Sequence, residues 1–247
     1  MAKRIGFIGY GLRSRTMMQA FRALEADVRV VAIVDPRAEE IRQEIAADPY
    51  FERVSFYDTA ASMLASASLD GVFIGTRCSL HTPLAIQVLN SGLPLFLEKP
   101  VCISPEQYER LAAAAKGRES RVLVSFPLRL TAVAQAMKRV VDAGTLGRIT
   151  MVQAINNVPY GSVYYHSWYR DANETGGLFL QKMTHDIDYI HYLIGEVPVD
   201  AFARTAKLYF RGDRPAGLHC PACPEYHTCR ESSYVVGKIP VSYTHLT

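Results

Sequence analysis

No stretch of this 247-residue chain approaches the roughly 18 consecutive apolar residues that a membrane-spanning helix needs. The opening Met1-Ala2-Lys3-Arg4 runs straight into Ile5-Gly6-Phe7-Ile8. That run is too short for a signal peptide and no small-residue cleavage site follows it, so a cytoplasmic protein is expected. Cysteine is scarce: Cys78, Cys102, Cys220, Cys223 and Cys229 are an odd set, which argues against a disulfide framework in a chain of this size. Neither sign of charge dominates. A formal net charge of +3 singles out no nucleic-acid and no membrane partner. There is no internal repeat and no low-complexity linker. What is present is 49% hydrophobic residues, enough for one large core or two smaller ones in a globular protein.

The apolar residues are organised in alternating runs. Residues 4–8, 29–34, 71–74, 94–97 and 121–124 are short, rich in Val, Ile, Leu and Phe, and show little polar alternation. Strands buried on both faces of a parallel sheet read this way. Between them lie amphipathic stretches at 12–24, 36–46, 59–67, 80–90 and 105–115. Asp35-Pro36 and Ser104-Pro105 each offer a capping residue followed by proline at the first helical position. Strands alternating with helices predict an α/β fold, a doubly wound parallel sheet with right-handed crossovers. After Phe126 the pattern changes. A helix is expected over 131–143, a strand over 149–156, a Tyr- and Gly-rich loop over 159–177, a helix over 178–194 and a strand over 199–210. The domains are placed at 1–126 and 127–247.

Gly9-Tyr10-Gly11-Leu12-Arg13-Ser14 lies directly after the first strand and opens the first helix. Glycine at 9 permits a tight turn, glycine at 11 lets the backbone approach a pyrophosphate, and Ser14 is small enough for helix–strand packing. The helix N-terminus then offers free N–H groups and a positive dipole end to the anion. Asp35 stands about 20 residues further on, at the end of the second strand, where a carboxylate accepts from a ribose 2′-hydroxyl and repels a 2′-phosphate. NAD is therefore favoured, with Arg37 and Arg13 keeping NADP open.

Glu98-Lys99-Pro100 at the end of the fifth strand, together with Gly9-Tyr10-Gly11, the segment Thr76 to Pro83 containing His81, and Gly176-Gly177 followed by His185 and Asp188, resembles the glucose–fructose oxidoreductase / inositol dehydrogenase family (Gfo/Idh/MocA). The resemblance runs over residues 5–195. It implies a Rossmann domain followed by an α+β domain with an open, mostly antiparallel sheet, homo-oligomers built through that sheet, and a sugar-like small-molecule substrate. It implies that Lys99 contacts substrate and nicotinamide, that the peptide before Pro100 is cis, and that His185 is the general acid/base. Imidazole suits that work because its unperturbed pKa is near 6.5. Thr76, His81 and Glu98 join the cofactor set, with His81 equally readable as a helix-start residue and Cys78 where many members carry Asn. Members commonly carry Asp one turn before the histidine, where this chain has Gln181. Asp188 is then the candidate to orient His185, while Lys182 and Asp186 are charges with no assigned role. On the 178–194 helix Met183, Ile187, Ile190 and Ile194 make an apolar face, with Gln181, His185, Asp188 and Tyr192 opposite. Arg129, Tyr160, Tyr164, Tyr165, His166, Trp168, Tyr169 and Arg170 are candidates to line a substrate pocket, or simply to pack the loop.

The segment His219-Cys220-Pro221-Ala222-Cys223 to His227-Thr228-Cys229 has the two-residue Cys spacing of a zinc knuckle. A structural zinc on Cys220, Cys223 and Cys229 with His219 or His227 is one reading, and a set of reduced thiols is the other. An iron–sulfur cluster would want a fourth thiolate. The residues after 126 are too few for the second domain the resemblance implies, and 241–247 read like translated adapter sequence, so a C-terminally truncated chain is expected. The function expected is NAD(P)-dependent hydride transfer at a sugar or cyclitol alcohol. A non-catalytic dinucleotide- and sugar-binding sensor is the alternative, and a redox or metal sensor at the cysteines a third.

Overall fold

A computed structural model describes residues 2–24, 27–158, 164–165, 167–206, 208, 214–215 and 218–237. They fall into two compact units, Met1–Asn157 with Trp168–Val197, and Val158–Ser167 with Pro198–Thr247. The first unit is built on six strands: β1 (Lys3–Ile8), β2 (Val28–Val34), β3 (Ser55–Tyr57), β4 (Gly71–Ile74), β5 (Leu95–Leu97) and β6 (Val122–Val124). All are parallel, in the order β3-β2-β1-β4-β5-β6. The order reverses between β1 and β4, and a crevice for a ligand lies beyond the strand ends at such a switch point.

The strands read as unbroken apolar runs because both faces are covered. Ile8, Val72, Ile74, Leu95 and Leu97 face one core with α3 (Ala60–Ser66) and α4 (Cys78–Asn90). Phe7, Val30, Ile33 and Phe73 face the other with α1 (Leu12–Ala23) and α2 (Ala38–Ile45). Phe73 is the centre of that second core, with Phe7 and Phe96 rings at 4.9 and 5.0 Å. Phe73→Ala is expected to cost about 3–5 kcal/mol. A urea melt would show it as a lower midpoint at unchanged slope, and a loss below about 1 kcal/mol would contradict this packing.

Capping accounts for most helix starts. Thr59 and Ser62 form a reciprocal capping box on α3. Ser104 caps α5 (Pro105–Ala115) at Gln107 N–H, with Pro105 at the first helical position as expected. Asp35-Pro36 behaves differently. The α2 helix starts at Ala38, because the Asp35 carboxylate turns back to accept from the N–H of Arg37 at 2.9 Å and of Tyr10 at 2.7 Å. The short strand β3 lacks the apolar run that marks the others and is absent from the sequence reading for that reason.

Beyond β6 the first unit continues through α6 (Ala132–Asp142), α7 (Ala172–Thr175), a π turn (Phe179–Met183) and α8 (Thr184–Ile194). The strand expected over 149–156 does not form. A strand needs a neighbour to take its N–H and C=O groups, and every pairing among the described residues belongs to the one parallel sheet. Met151 and Ile155 are left 83% and 77% exposed. Of the strand expected over 199–210, residues 199–206 and 208 likewise form no strand, and 207, 209 and 210 lie outside the described residues, as do 241–247. The antiparallel sheet is thus not formed among the described residues. None of their helices is long and apolar enough to cross a membrane.

Candidate active site

The cradle at the end of β1 is set by Gly9. Its φ is +81°, and a Cβ there would stand 2.8–3.0 Å from Thr76 and Gly75 atoms, two of them backbone. Ser14 is fully buried and its hydroxyl donates to the Gly9 carbonyl at 2.5 Å, so position 14 does require a small side chain. Gly11 is the N-cap of α1. That helix has no side-chain cap and no acid in its first turn, and nothing lies within 4 Å of where a Gly11 Cβ would point. The first-turn N–H groups and the dipole are therefore open to an anion, and a dinucleotide pyrophosphate fits this cradle.

Other expected cofactor contacts are placed differently. Tyr10 is 3% exposed, its ring packs on Phe7 and Phe51, and its N–H is committed to Asp35. It shapes the turn from beneath and has no face for a ligand. Leu12 is exposed at the helix start. Asp35 accepts the two N–H bonds described above and pairs with the Arg37 Nε at 3.4 Å, which leaves spare lone pairs for a ribose hydroxyl. Arg13 reaches across the cradle to the buried Glu98, with Nε at 3.3 Å from the carboxylate.

Glu98 and Lys99 follow β5 directly, and the Lys99–Pro100 peptide is cis. The Thr76 hydroxyl bonds the Arg77 carbonyl next door. His81 does not line the cradle. It is 1% exposed in α4, with Nδ1 2.7 Å from the Pro100 carbonyl and Nε2 3.3 Å from the Thr76 carbonyl. Burial holds its pKa below the usual histidine value. The ring ties the loop after β4 to the segment after β5, which corrects its expected place as a cofactor contact. His81→Leu would strand a buried carbonyl and is expected to cost about 1–3 kcal/mol. A urea midpoint equal to that of the parent would count against the tie.

The remaining site residues arrive on the π turn and α8. Gly176, with φ +69°, ends α7 where a Cβ would meet the Ile103 backbone at 2.9 Å, and it turns the chain into the π turn. In an α-helix the carbonyl of residue 181 bonds the amide of residue 185. The π turn breaks that register, and the Gln181 carbonyl accepts from the Lys99 ammonium at 2.7 Å. Burial first, then Lys182 and Arg13, pulls Lys99 down to about 8 against the opposing pull of Cys78 and Glu98. His185 follows in α8, edge-on to the Phe126 ring at 5.9 Å. Burial, then Lys99 and Lys182, pushes its pKa down to about 4. Its Nδ1 and the Gln181 Oε1 are buried without a partner.

Comparison with known proteins decides the family. Residues 3–126 match the model of an oxidoreductase family with an NAD-binding Rossmann fold, and residues 134–218 match the GFO/IDH/MocA C-terminal domain. The chain belongs to the Gfo/Idh/MocA oxidoreductases. It is 27% identical to an inositol 2-dehydrogenase of Rhizobium meliloti (strain 1021) over 88% of its own length and 62% of the relative's. It is 28% identical to inositol 2-dehydrogenase 2 of Saccharopolyspora erythraea over 84% and 58%. The chain thus spans about three fifths of these relatives. Among solved structures, the WlbA dehydrogenase of Bordetella pertussis in complex with NADH and UDP-GlcNAcA superposes with TM-score 0.65 at 24% identity, covering 79% of this chain and 60% of that one. A myo-inositol 2-dehydrogenase from Lactobacillus plantarum gives 0.64 at 21%, covering 79% and 57%. These two likenesses show the fold.

Three expectations for this Gfo/Idh/MocA member are corrected by its geometry. Asp188 does not orient His185. Both its oxygens are taken by Arg129, with Nε at 2.8 Å, and Arg129 also lies over the Phe126 and Tyr192 rings. The pair docks α8 against the chain after β6, so Arg129 is a strut and not a pocket wall. The apolar face of that helix is not a core stripe throughout: Met183 and Ile187 are about two-fifths exposed, while Gln181 on the polar face is 4% exposed. The cysteine cluster is the third. Among the described residues no group of three or more His, Cys, Asp and Glu is gathered to hold a metal. Cys220, Cys223 and Cys229 are free thiols in a run of turns, and His227 packs edge-on to Tyr234 at 4.5 Å within an aromatic trio completed by Tyr226. Ring packing organises this segment in the place of chelation.

Of the aromatic loop, Tyr160 and His166 lie outside the described residues. Trp168 stacks on Tyr169, and the Arg77 guanidinium lies 3.9 Å over the Trp168 ring. Arg77 and Phe126 had no signal in the sequence, and Arg13 and Glu98 stood out there singly but not as a pair, since each acts through a partner far along the chain.

Proposed function

We propose that this chain is the greater part of an NAD(P)-dependent dehydrogenase that interconverts an alcohol and a ketone on a sugar or cyclitol ring, with residues 127–247 as the substrate and oligomerisation part. The observation that carries the reading is the bond from the Lys99 ammonium, just past β5, to the Gln181 carbonyl about one turn before His185. The π turn holds that ammonium, and burial above all, with Lys182 and Arg13 adding to it, pulls both groups below their usual values. A bound nicotinamide supplies the hydride acceptor or donor. His185, neutral at pH 7, takes the hydroxyl proton in the oxidative direction. Lys99 donates to the substrate oxygen as charge develops on it. The names of the two inositol 2-dehydrogenase relatives support a polyol substrate. Asp35 favours NAD, and Arg37 beside it is the route to NADP.

The test is a fluorescence titration of the purified chain with NADH and with NADPH. A panel of polyols and sugars with NAD⁺, followed at the NADH absorbance band, completes it. Tighter NADH binding and absorbance growth on one substrate class is the expected result. Failure to bind either dinucleotide would sink the reading. Binding with no turnover on any alcohol would favour the sensor alternative, for which the neutral, buried Gln181 beside His185 is the motive.

A further inference from the structure

We propose that the substrate carries a carboxylate and that Lys182 is the residue that binds it. The inference rests on the dehydrogenase reading above and narrows its substrate class to a sugar acid. Lys182 lies in the π turn, next to the residue whose carbonyl holds Lys99. Its side chain is only 17% exposed, yet the ammonium makes no hydrogen bond among the described residues. Its partner is Asp186, with Nζ to Oδ1 at 3.7 Å, and that same oxygen already accepts from the Asn156 amide at 2.7 Å. An ammonium carries three donors, and a mostly shielded one gains from a further acceptor. A surface pair four residues apart on a helix would explain the Lys182–Asp186 contact in the open, but not with both side chains at least three-quarters buried.

The local charge balance asks for the same thing. Lys99, Lys182 and Arg13 act together on this centre, against Asp186 and Glu98. Arg13 and Glu98 satisfy each other and Asp186 is shared with Asn156. Lys99 has only a carbonyl. Gln181, buried beside Lys182 in the chain and about one turn before His185, contributes no charge. The surplus is positive, next to the group that handles the proton. A neutral polyol leaves it uncompensated. A ring bearing a carboxylate gives Lys182 a charge-assisted bond while a hydroxyl of the same ring meets Lys99 and His185.

Calorimetric titration of the chain with glucuronate, glucose and glucose 6-phosphate, with and without saturating NADH, tests this directly. The parent, Lys182→Met and Lys182→Arg are compared. Glucuronate is expected to bind about tenfold or more tighter than glucose, and the preference is expected to shrink with added salt. Lys182→Met should abolish it and Lys182→Arg should restore part of it, with NADH affinity equal in all three. In turnover the Met variant should raise KM for the acid and leave kcat nearly unchanged. Equal binding of glucose and glucuronate by a chain that binds NADH would overturn the inference alone, as would no binding of glucuronate or a preference that survives in Lys182→Met. Tighter binding of the phosphate ester than of glucuronate would overturn the carboxylate assignment. A Lys182-dependent preference for glucuronate in a chain that binds neither dinucleotide would support the anion site and sink the dehydrogenase reading.

Discussion

Replacing His185 with alanine is expected to lower turnover by about 10²–10⁴ while leaving NADH affinity within about twofold of the parent. The split follows from where the ring sits. It is on α8, edge-on to Phe126, whereas the cradle proposed for the dinucleotide is made by Gly9, Gly11 and Ser14 at the start of α1. Removing the imidazole leaves that cradle untouched. The pH profile gives a second signature. In the oxidative direction His185 has to be neutral to take a proton, so activity rises as pH increases through about 4. Lys99 has to be charged, so activity falls as pH passes about 8. A bell in kcat/KM with limbs near these values reports the free protein's acid and base. In His185→Ala the acidic limb should vanish and the alkaline limb remain. Loss of NADH binding in that variant, or an unchanged acidic limb, would assign His185 a structural role.

What the residues disclosed in advance divides along a physical line. The parallel sheet was legible because its signal is local and repeated. Five of six strands are apolar on both faces, the helices between them carry caps such as Ser104, and Gly9 needs a conformation other residues avoid. The parts that escaped reading depend on partners distant in sequence. Asp188 looked like a companion of His185 by helical spacing, yet Arg129 claims it from 59 residues away. His81 looked like a cofactor contact, yet two carbonyls fold over it from either side. A strand over 149–156 has the right alternation and no neighbour to pair with among the described residues. The π turn is the sharpest case. Nothing in Phe179–Met183 announces it, and it decides which carbonyl meets Lys99. Spacing rules assume a regular helix, and this site is built on a departure from one.

The cradle supplies the other large expected effect. Gly9→Ala should cut NADH affinity by about 30-fold or more and lower the urea midpoint as well. Two costs add. A non-glycine residue held at φ +81° carries roughly 1–3 kcal/mol of strain. The added Cβ would also stand 2.9 Å from the Thr76 nitrogen and 3.0 Å from the Gly75 carbonyl carbon, backbone atoms that cannot swing aside. The turn must then shift. With it go the Ser14 bond to the Gly9 carbonyl and the Tyr10 bond to Asp35, which together aim the α1 N-terminus and the Asp35 carboxylate. Each 1.4 kcal/mol transferred to binding is tenfold in affinity. Gly92→Ala is the control, because Gly92 has nearly the same φ, +79°, with nothing within 4 Å of its Cβ and no place in the cradle. It should lose stability from strain alone and bind NADH as the parent does. If Gly9→Ala and Gly92→Ala were to bind NADH equally well, the turn at Gly9 would not be where the dinucleotide rests, and the pyrophosphate would have to be sought elsewhere along the strand ends.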